Sequence, residues 1–136
     1  ERYQVKDNQV FLAASTVGEP SMPIYPESLM GMLLPDQRVC VELTISTDGE
    51  VIEIKTVSDV IGCPSVMPRM EFVQAVLDQV ATWQFFSAEI CTFPEGGKKN
   101  EDCSGEGVSK KLVPIRLIYY FDFSFKKRRA MAGLKK

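Results

Sequence analysis

The chain has 136 residues, 45% of them hydrophobic, which is enough for one compact domain with a single core. Its formal net charge of -2 provides no positive field to attract a nucleic acid or an anionic membrane surface. The sequence contains no histidine, and this excludes Ser-His and Cys-His nucleophile pairs, histidine zinc sites and histidine general bases.

The N-terminal part of the chain predicts little regular structure. Residues 1–22 are mostly polar apart from one apolar patch at 10–14, and they predict a linker or a peripheral strand. Pro26 can occupy the first turn of a helix, and Glu27 complements the helix dipole there. We therefore predict a short helix that begins at Pro26 and ends before Pro35.

A β-hairpin is predicted next. Residues 39–45 alternate aliphatic and polar side chains, which is the period-2 pattern of a half-buried strand. Asp48-Gly49 can supply the positive φ of a tight turn, and residues 51–57 form the return strand. Since the alternation changes frame near Glu53, we also expect a β-bulge there.

The middle of the chain predicts one amphipathic helix. Residues 58–69 are rich in proline and glycine and predict an irregular connection. Residues 71–83 contain neither, and their apolar side chains recur at helical spacing. We expect this helix to pack on the sheet, with Trp83 filling the core in preference to contacting a partner.

Residues 92–111 have the composition of an exposed excursion from the domain. The stretch E-G-G-K-K-N at 95–100 lacks the strand, the helix and the Ser or Thr after Lys that a phosphate-binding loop requires. We therefore predict neither a metal site nor a cofactor in this loop.

The strongest strand pattern lies at residues 113–125, where every second residue is large and apolar. Pro114 favours an edge position, because proline cannot donate to a neighbouring strand. The basic residues that follow, 126–136, lack apolar periodicity. They predict a disordered tail, in preference to a segment that contacts anionic lipid or an acidic surface.

The chain has four cysteines, and none belongs to a C-x-x-C pair. This argues against a zinc ribbon or a thioredoxin-like motif. An even number permits two disulfides in three connectivities, of which we favour Cys91 with Cys103 and Cys40 with Cys63. Four reduced thiols in a cytosolic protein is the alternative. The Gly- and Lys-rich surroundings of Cys103 predict that this residue is exposed.

The order of these elements resembles the C-terminal domain of the TonB family, the periplasmic end of the energy transducer of Gram-negative bacteria. The resemblance covers roughly residues 23–125. It implies an α+β fold in which a three-stranded antiparallel sheet packs against two helices, an architecture similar to the C-terminal domain of TolA. Ser87, where the family often has proline, and the four cysteines depart from the pattern. The matching stretches are Tyr25-Pro26, R-V-C-V-E-L-T-I-S-T-D-G-E-V at 38–51, F-V-Q-A-V-L-D-Q-V-A-T-W-Q-F at 72–85 and V-P-I-R-L-I-Y-Y-F-D-F-S at 113–124.

The resemblance implies a protein-binding function, because the last strand of TonB-like domains pairs with an extended segment of an outer-membrane receptor. The chain would then couple inner-membrane energy to transport from the periplasm, tethered by an anchor outside this sequence. Unprotected edge strands would also permit a homodimer. The candidate partner-binding residues are Tyr25, Pro26, Leu117, Tyr119, Tyr120, Phe121 and Phe123.

The alternative is a structural component of an envelope secretion or pilus machine that uses this fold. Its contact would be the loop 91–103, closed at its neck by the predicted disulfide. An enzyme is disfavoured under both hypotheses, because the sequence offers no histidine and no evident pair of catalytic carboxylates.

Overall fold

The structure of the chain is a computed structural model, and it describes residues 3–126 and 129–135. Strands predominate in that part of the chain. In chain order the elements are β1 Gln9–Leu12, β2 Ser15–Thr16, a 3-10 helix Glu27–Met32, β3 Gln37–Ile45, β4 Val51–Val57, α1 Met70–Val80, β5 Phe85–Phe86, β6 Ala88–Thr92, β7 Ser109–Val113, β8 Ile115–Lys126 and β9 Arg129–Lys135.

The largest sheet has four antiparallel strands in the order β4-β3-β8-β9. In its centre, β3 and β8 pair so that Val39 lies opposite Phe121 and Leu43 opposite Leu117. Because residues directly opposite each other point to the same face, the aliphatic stripe of β3 and the apolar stripe of β8 form one continuous core face. The polar alternates of both strands form the opposite face, called here the outer face.

Helix α1 covers the core face. It contains no proline or glycine, and its buried residues Phe72, Val73, Val76 and Val80 follow helical spacing. Trp83 follows the helix and is buried, with its indole Nε1–H donating to the Ser21 carbonyl oxygen at 2.9 Å. The predicted amphipathic helix and the core position of Trp83 are both confirmed.

The β3–β4 hairpin also forms as predicted. Gly49 has a φ of 81°, and its N–H donates to the Ser46 carbonyl oxygen at 3.0 Å to close the turn. The pairing shifts register between Thr44 and Ile45 and leaves Ile52 of β4 without an opposite residue. This is the bulge expected near Glu53.

The predicted fold class, a three-stranded antiparallel sheet packed against two helices, is wrong. The chain is mostly β, with three antiparallel sheets and α1 as the one α-helix of the described residues. The helix predicted after Pro26 is a single 3-10 segment, because Leu33 adopts a left-handed backbone (φ 49°) and ends it.

The two smaller sheets account for much of this difference. One has the order β1-β6-β7 and the other pairs β2 with β5. They use the first residues of the chain and both ends of the predicted excursion, since β6 ends at Thr92 and β7 begins at Ser109. Short strands of this kind are stabilised by partners distant in sequence, which local composition does not reveal.

The end of the chain also differs from the prediction. The strand expected over residues 113–125 is two strands, β7 and β8, which separate at Pro114 because proline has no N–H to donate. Part of the expected tail, Arg129–Lys135, forms β9 and pairs with Tyr120–Lys126. Antiparallel backbone pairing does not require apolar periodicity, so composition did not signal it.

Both predicted disulfides are present, Cys40–Cys63 and Cys91–Cys103, and they replace the alternative of four reduced thiols. The expectation that Cys103 is exposed is wrong, because this residue is only 2% exposed in a small second core with Cys91 and Phe93. Two disulfides are typical of an oxidising compartment such as the periplasm or the cell exterior. None of the helices in the described residues is long and apolar enough to cross a membrane.

Candidate partner-binding edge

The seven predicted partner-binding residues divide into two groups. Tyr25, Tyr119, Phe121 and Phe123 are buried, and the Tyr25 ring contacts Phe72 edge-on, with centroids 5.2 Å apart. These side chains hold the core together. Any contribution of β8 at these positions to partner binding therefore passes through its backbone.

The remaining three residues are partly accessible. Pro26 and Leu117 are half-buried, and Leu117 packs against the edge of the main core. Tyr120 lies on the outer face, opposite Cys40 of β3. The structure thus separates Tyr25, which packs at the Phe123 end of β8, from the accessible positions Leu117 and Tyr120 of that strand.

Strand β8 is not an edge strand along its whole length. β3 pairs with it on one side from Ile115 to Phe123, and β9 pairs on the other side from Tyr120 to Lys126. On the β9 side, no strand of residues 3–126 and 129–135 pairs with Ile115–Ile118. We call these four residues the open stretch. The fully exposed edge implied for the last strand is therefore corrected to this shorter segment.

The opposite edge of the same sheet, β4, is better protected against pairing. Its bulge at Ile52 interrupts the regular row of backbone groups, and it presents the charged pair Lys55 and Glu53, with Nζ and Oε1 3.6 Å apart. Bulges and edge lysines are the usual devices that discourage strand addition. The open stretch of β8 has an aliphatic side chain at three of its four positions.

A loop crosses the outer face of the main sheet from β4 to Tyr120 of β8. Residues 58–64, called here the strap, leave β4 and turn back so that Cys63 bonds Cys40 of β3. The Tyr120 hydroxyl on β8 donates to the Ile61 carbonyl oxygen at 3.3 Å, and Arg38 Nη1 donates to the Gly62 carbonyl oxygen at 2.8 Å. The strap therefore spans from β4 over β3 to β8.

Arg38 and Asp122 fix the base of this arrangement. Their side chains form a bidentate pair, with Nε–Oδ1 at 2.7 Å and Nη2–Oδ2 at 2.9 Å, and Asp122 raises the pKa of Arg38. The guanidinium carbon lies 5.5 Å from the centroid of the Tyr120 ring. Because the pair is about one third exposed, its net contribution to stability is below about 1 kcal/mol. Its main effect is to orient Arg38 toward the strap.

Neither the strap nor this ion pair was anticipated from the sequence. Arg38 and Asp122 are 84 positions apart, and only the β3–β8 register brings them opposite each other. The alternation of side chains along each strand could have indicated part of this arrangement. It places Arg38 and Cys40 on one face of β3, and Tyr120 and Asp122 on one face of β8. The disulfide prediction then implied that residues near Cys63 lie over that face.

One further cluster has the composition of a metal site. A carboxylate oxygen of Glu89 and the Sγ atoms of Cys91 and Cys103 lie within 4.8 Å of one another. Both sulfurs are joined in the Cys91–Cys103 disulfide, so they offer no thiolate to a metal ion. The cluster therefore has a structural role, since the disulfide joins β6 to the loop that follows it.

The burial of Tyr119 predicts that the stability of the chain depends on pH. Burial raises its pKa above the ordinary value of 10.0, so the folded chain retains the phenol proton to higher pH than the unfolded chain. Stability contributed by the protonated form is complete below pH 10.0 and decreases as the pH rises from there through the folded pKa. Urea unfolding at pH 8 and pH 11 should show a smaller loss for Tyr119→Phe than for wild type. Equal losses would contradict the assignment.

No protein-family model matches this sequence, and no curated protein matches it.

Proposed function

We propose that this chain is a non-enzymatic interaction domain of the periplasm that binds an extended segment of an outer-membrane receptor or another envelope protein by β-strand addition. The observation that carries the proposal is the open stretch, four residues of the central strand β8 that pair with β3 on one side and with no strand of the described residues on the other. Backbone N–H and C=O groups on such an edge bind an added strand without a catalytic group or cofactor.

The geometry of β9 suggests how the segment binds. β9 runs antiparallel to β8, and its Lys135 lies opposite Tyr120. An added segment with the same direction would lie in line with β9 and opposite Ile118 to Ile115. Its N-terminal end would lie two positions beyond Lys135 along the edge, because Ile118 is two residues from Tyr120. Its alternate side chains would extend to the core side near Leu117 and to the outer face near Ile118.

The coupling of inner-membrane energy to transport is the finer part of the proposal. It is supported by the resemblance of Tyr25-Pro26, the Asp48-Gly49 hairpin and the helix followed by Trp83 to TonB-like domains. A tether outside this sequence would transmit movement to the domain. The edge would then transmit it to the bound receptor segment through a row of backbone hydrogen bonds.

The test is a titration of ¹⁵N-labelled protein with ten-residue peptides from the periplasmic ends of outer-membrane receptors. We expect one or more peptides to shift the amide resonances of Ile115–Ile118 more than those of β4. Each binding peptide is then prepared in two forms, N-methylated on odd or on even residues. An added strand pairs through one set of residues only, so one form should lose binding and the other should retain it.

Two results would contradict this proposal. Binding that survives both patterns of N-methylation does not use strand addition, and peptides that shift only β4 or no residue at all do not use the open stretch. Sedimentation equilibrium of the chain alone is the companion measurement. A stable dimer whose interface protects Ile115–Ile118 from hydrogen exchange would show that a second copy occupies the edge instead.

A further inference from the structure

The tip of the strap presents a strongly exposed aliphatic side chain on a restrained backbone. Ile61 is 96% exposed, although its own carbonyl oxygen accepts a hydrogen bond from Tyr120 and the next residue but one is disulfide-bonded. The tip is closed by two more bonds, from Cys63 N–H to the Val60 carbonyl oxygen at 2.9 Å and from Asp59 N–H to the Pro64 carbonyl oxygen at 3.0 Å.

The backbone of the tip is shaped to lie flat on Tyr120. Gly62 has a φ of 88°, and a Cβ atom at this position would be 3.3 Å from the Tyr120 ring. Asp59 also has a positive φ, of 58°, at the base of the turn. A loop restrained at so many points loses little conformational freedom when a partner binds, which favours affinity.

The tip contacts Tyr120 of β8, the strand at whose edge we propose strand addition. Tyr120, which holds the Ile61 carbonyl, is also the residue opposite Lys135, the last described residue of β9. Ile118 lies two residues from Tyr120, so both side chains project from the outer face, and Ile118 is 40% exposed. The Ile61 carbonyl at Tyr120 and the Ile118 side chain therefore lie at successive outer-face positions of β8, close to the point at which a segment in line with β9 would begin.

From this juxtaposition we infer that Ile61 is a specificity-determining residue, which together with Ile118 selects an aliphatic side chain on the outer face of the bound segment. The inference rests on the proposed function. Directly opposed side chains of neighbouring strands lie about 4.5–5.5 Å apart and diagonal ones about 7–8 Å, so the outer-face side chain opposite Ile118 would lie beside Ile118 and diagonally from Tyr120, on whose ring the strap tip rests. An aliphatic group there removes apolar surface of Ile118 and Ile61 from water together.

The charge of the strap favours a peptide over an anionic lipid surface. Residues 58–64 contain one charged side chain, Asp59, and no lysine or arginine. Loops that bind anionic bilayers supply basic residues to the headgroups, about 1 kcal/mol for each. An exposed aliphatic tip with an acidic neighbour instead fits a protein segment with an aliphatic side chain.

The experiment compares two capped ten-residue peptides, one of alternating valine and threonine and one of threonine throughout, by ¹⁵N shift titration. We expect wild type to bind the valine peptide more tightly. Ile61→Ser should weaken binding of that peptide about fivefold while leaving the threonine peptide unchanged, as for the loss of one favourable cross-strand pair. Val66→Ser is the matched control, because Val66 is also exposed, at 77%, but lies beyond Cys63 and outside the strap.

The outcomes separate the inference from the function on which it rests. If Ile61→Ser keeps the full preference for valine while Ile115–Ile118 still shift, the inference is overturned and strand addition stands. If the valine peptide does not shift Ile115–Ile118 in wild type while a receptor peptide does, the inference is overturned and strand addition stands; if no peptide of either kind shifts them, both fall. A loss of self-association or of binding to vesicles of phosphatidylglycerol in Ile61→Ser, with peptide affinity unchanged, would assign the tip to a second copy or to lipid and overturn the inference. Thermal melting should be the same for both variants, since each side chain is exposed.

Discussion

Replacement of Gly49 by alanine is expected to destabilise the chain by about 2–5 kcal/mol. The residue has a φ of 81°, which an L side chain adopts only at a cost, and a Cβ atom there would lie 1.9 Å from the Phe85 carbonyl oxygen. That oxygen belongs to the backbone of β5 and cannot rotate away. The Gly49 carbonyl oxygen also accepts the Phe85 N–H at 2.8 Å, so the clash would separate the hairpin turn from β5. Urea unfolding of Gly49→Ala against wild type measures the loss.

Two other glycines divide this effect into its causes. Gly18 has a similar φ of 71° but nothing within 4 Å of an added Cβ, so Gly18→Ala reports the cost of the backbone conformation alone, about 1–2 kcal/mol. Gly31 has neither a positive φ nor a close neighbour, and Gly31→Ala should change stability by less than about 1 kcal/mol. If Gly49→Ala costs no more than Gly18→Ala, the close approach to Phe85 is contradicted.

The features that the sequence predicted correctly are those with local signals. The alternation of residues 39–45 and the Asp48-Gly49 turn predicted the hairpin, and the helical spacing of Phe72 to Val80 predicted α1. In both cases the residues that determine the element are within the element or next to it. The two disulfides were a preference among three connectivities, and both are present.

The features that were missed depend on distant partners. β1 pairs with β6 about 80 residues later, and neither has a long alternating pattern that would identify it as a strand alone. β9 was predicted to be a tail because its composition is basic. It is a strand because each of its residues pairs with a residue of β8 between Tyr120 and Lys126. Cys103 was expected to be exposed because its neighbours are polar, but the disulfide draws it into contact with Phe93.

The candidate site was predictable only in outline. The sequence indicated β8 as the strand of interest but not how much of it is covered, since that depends on the length of β9 and its register. Side-chain periodicity also could not distinguish core aromatics from partner contacts, and Tyr119, Phe121 and Phe123 all proved to be core. The placement of the strap depends on Cys40 and Tyr120 lying opposite each other, which follows only from the β3–β8 register.

Removal of the Cys40–Cys63 disulfide, by Cys40→Ser with Cys63→Ser, is the second change with a large expected effect. The bridge joins residues 23 positions apart. Loss of such a crosslink allows the unfolded chain more conformations, which lowers the free energy of unfolding by about 3 kcal/mol. Cys40 is buried, so two serines would also place hydroxyl groups at the root of the strap. Chemical unfolding under non-reducing conditions measures the loss of stability.

The matched control is the other bridge, Cys91→Ser with Cys103→Ser. Its residues are 12 positions apart, and the shorter loop predicts a similar loss of about 3 kcal/mol. The two double variants should therefore have comparable stability but differ in binding. Without Cys40–Cys63, the side-chain hydrogen bonds from Tyr120 and Arg38 still join the strap to the sheet within the described residues. We expect the position of Ile61 to relax, and the preference for the valine peptide should decrease toward that of Ile61→Ser. The variant without Cys91–Cys103 should retain that preference in full, because the bridge lies in the small second core and does not contact the strap. Equal preference in the two double variants would show that the disulfide stabilises the fold without positioning the tip.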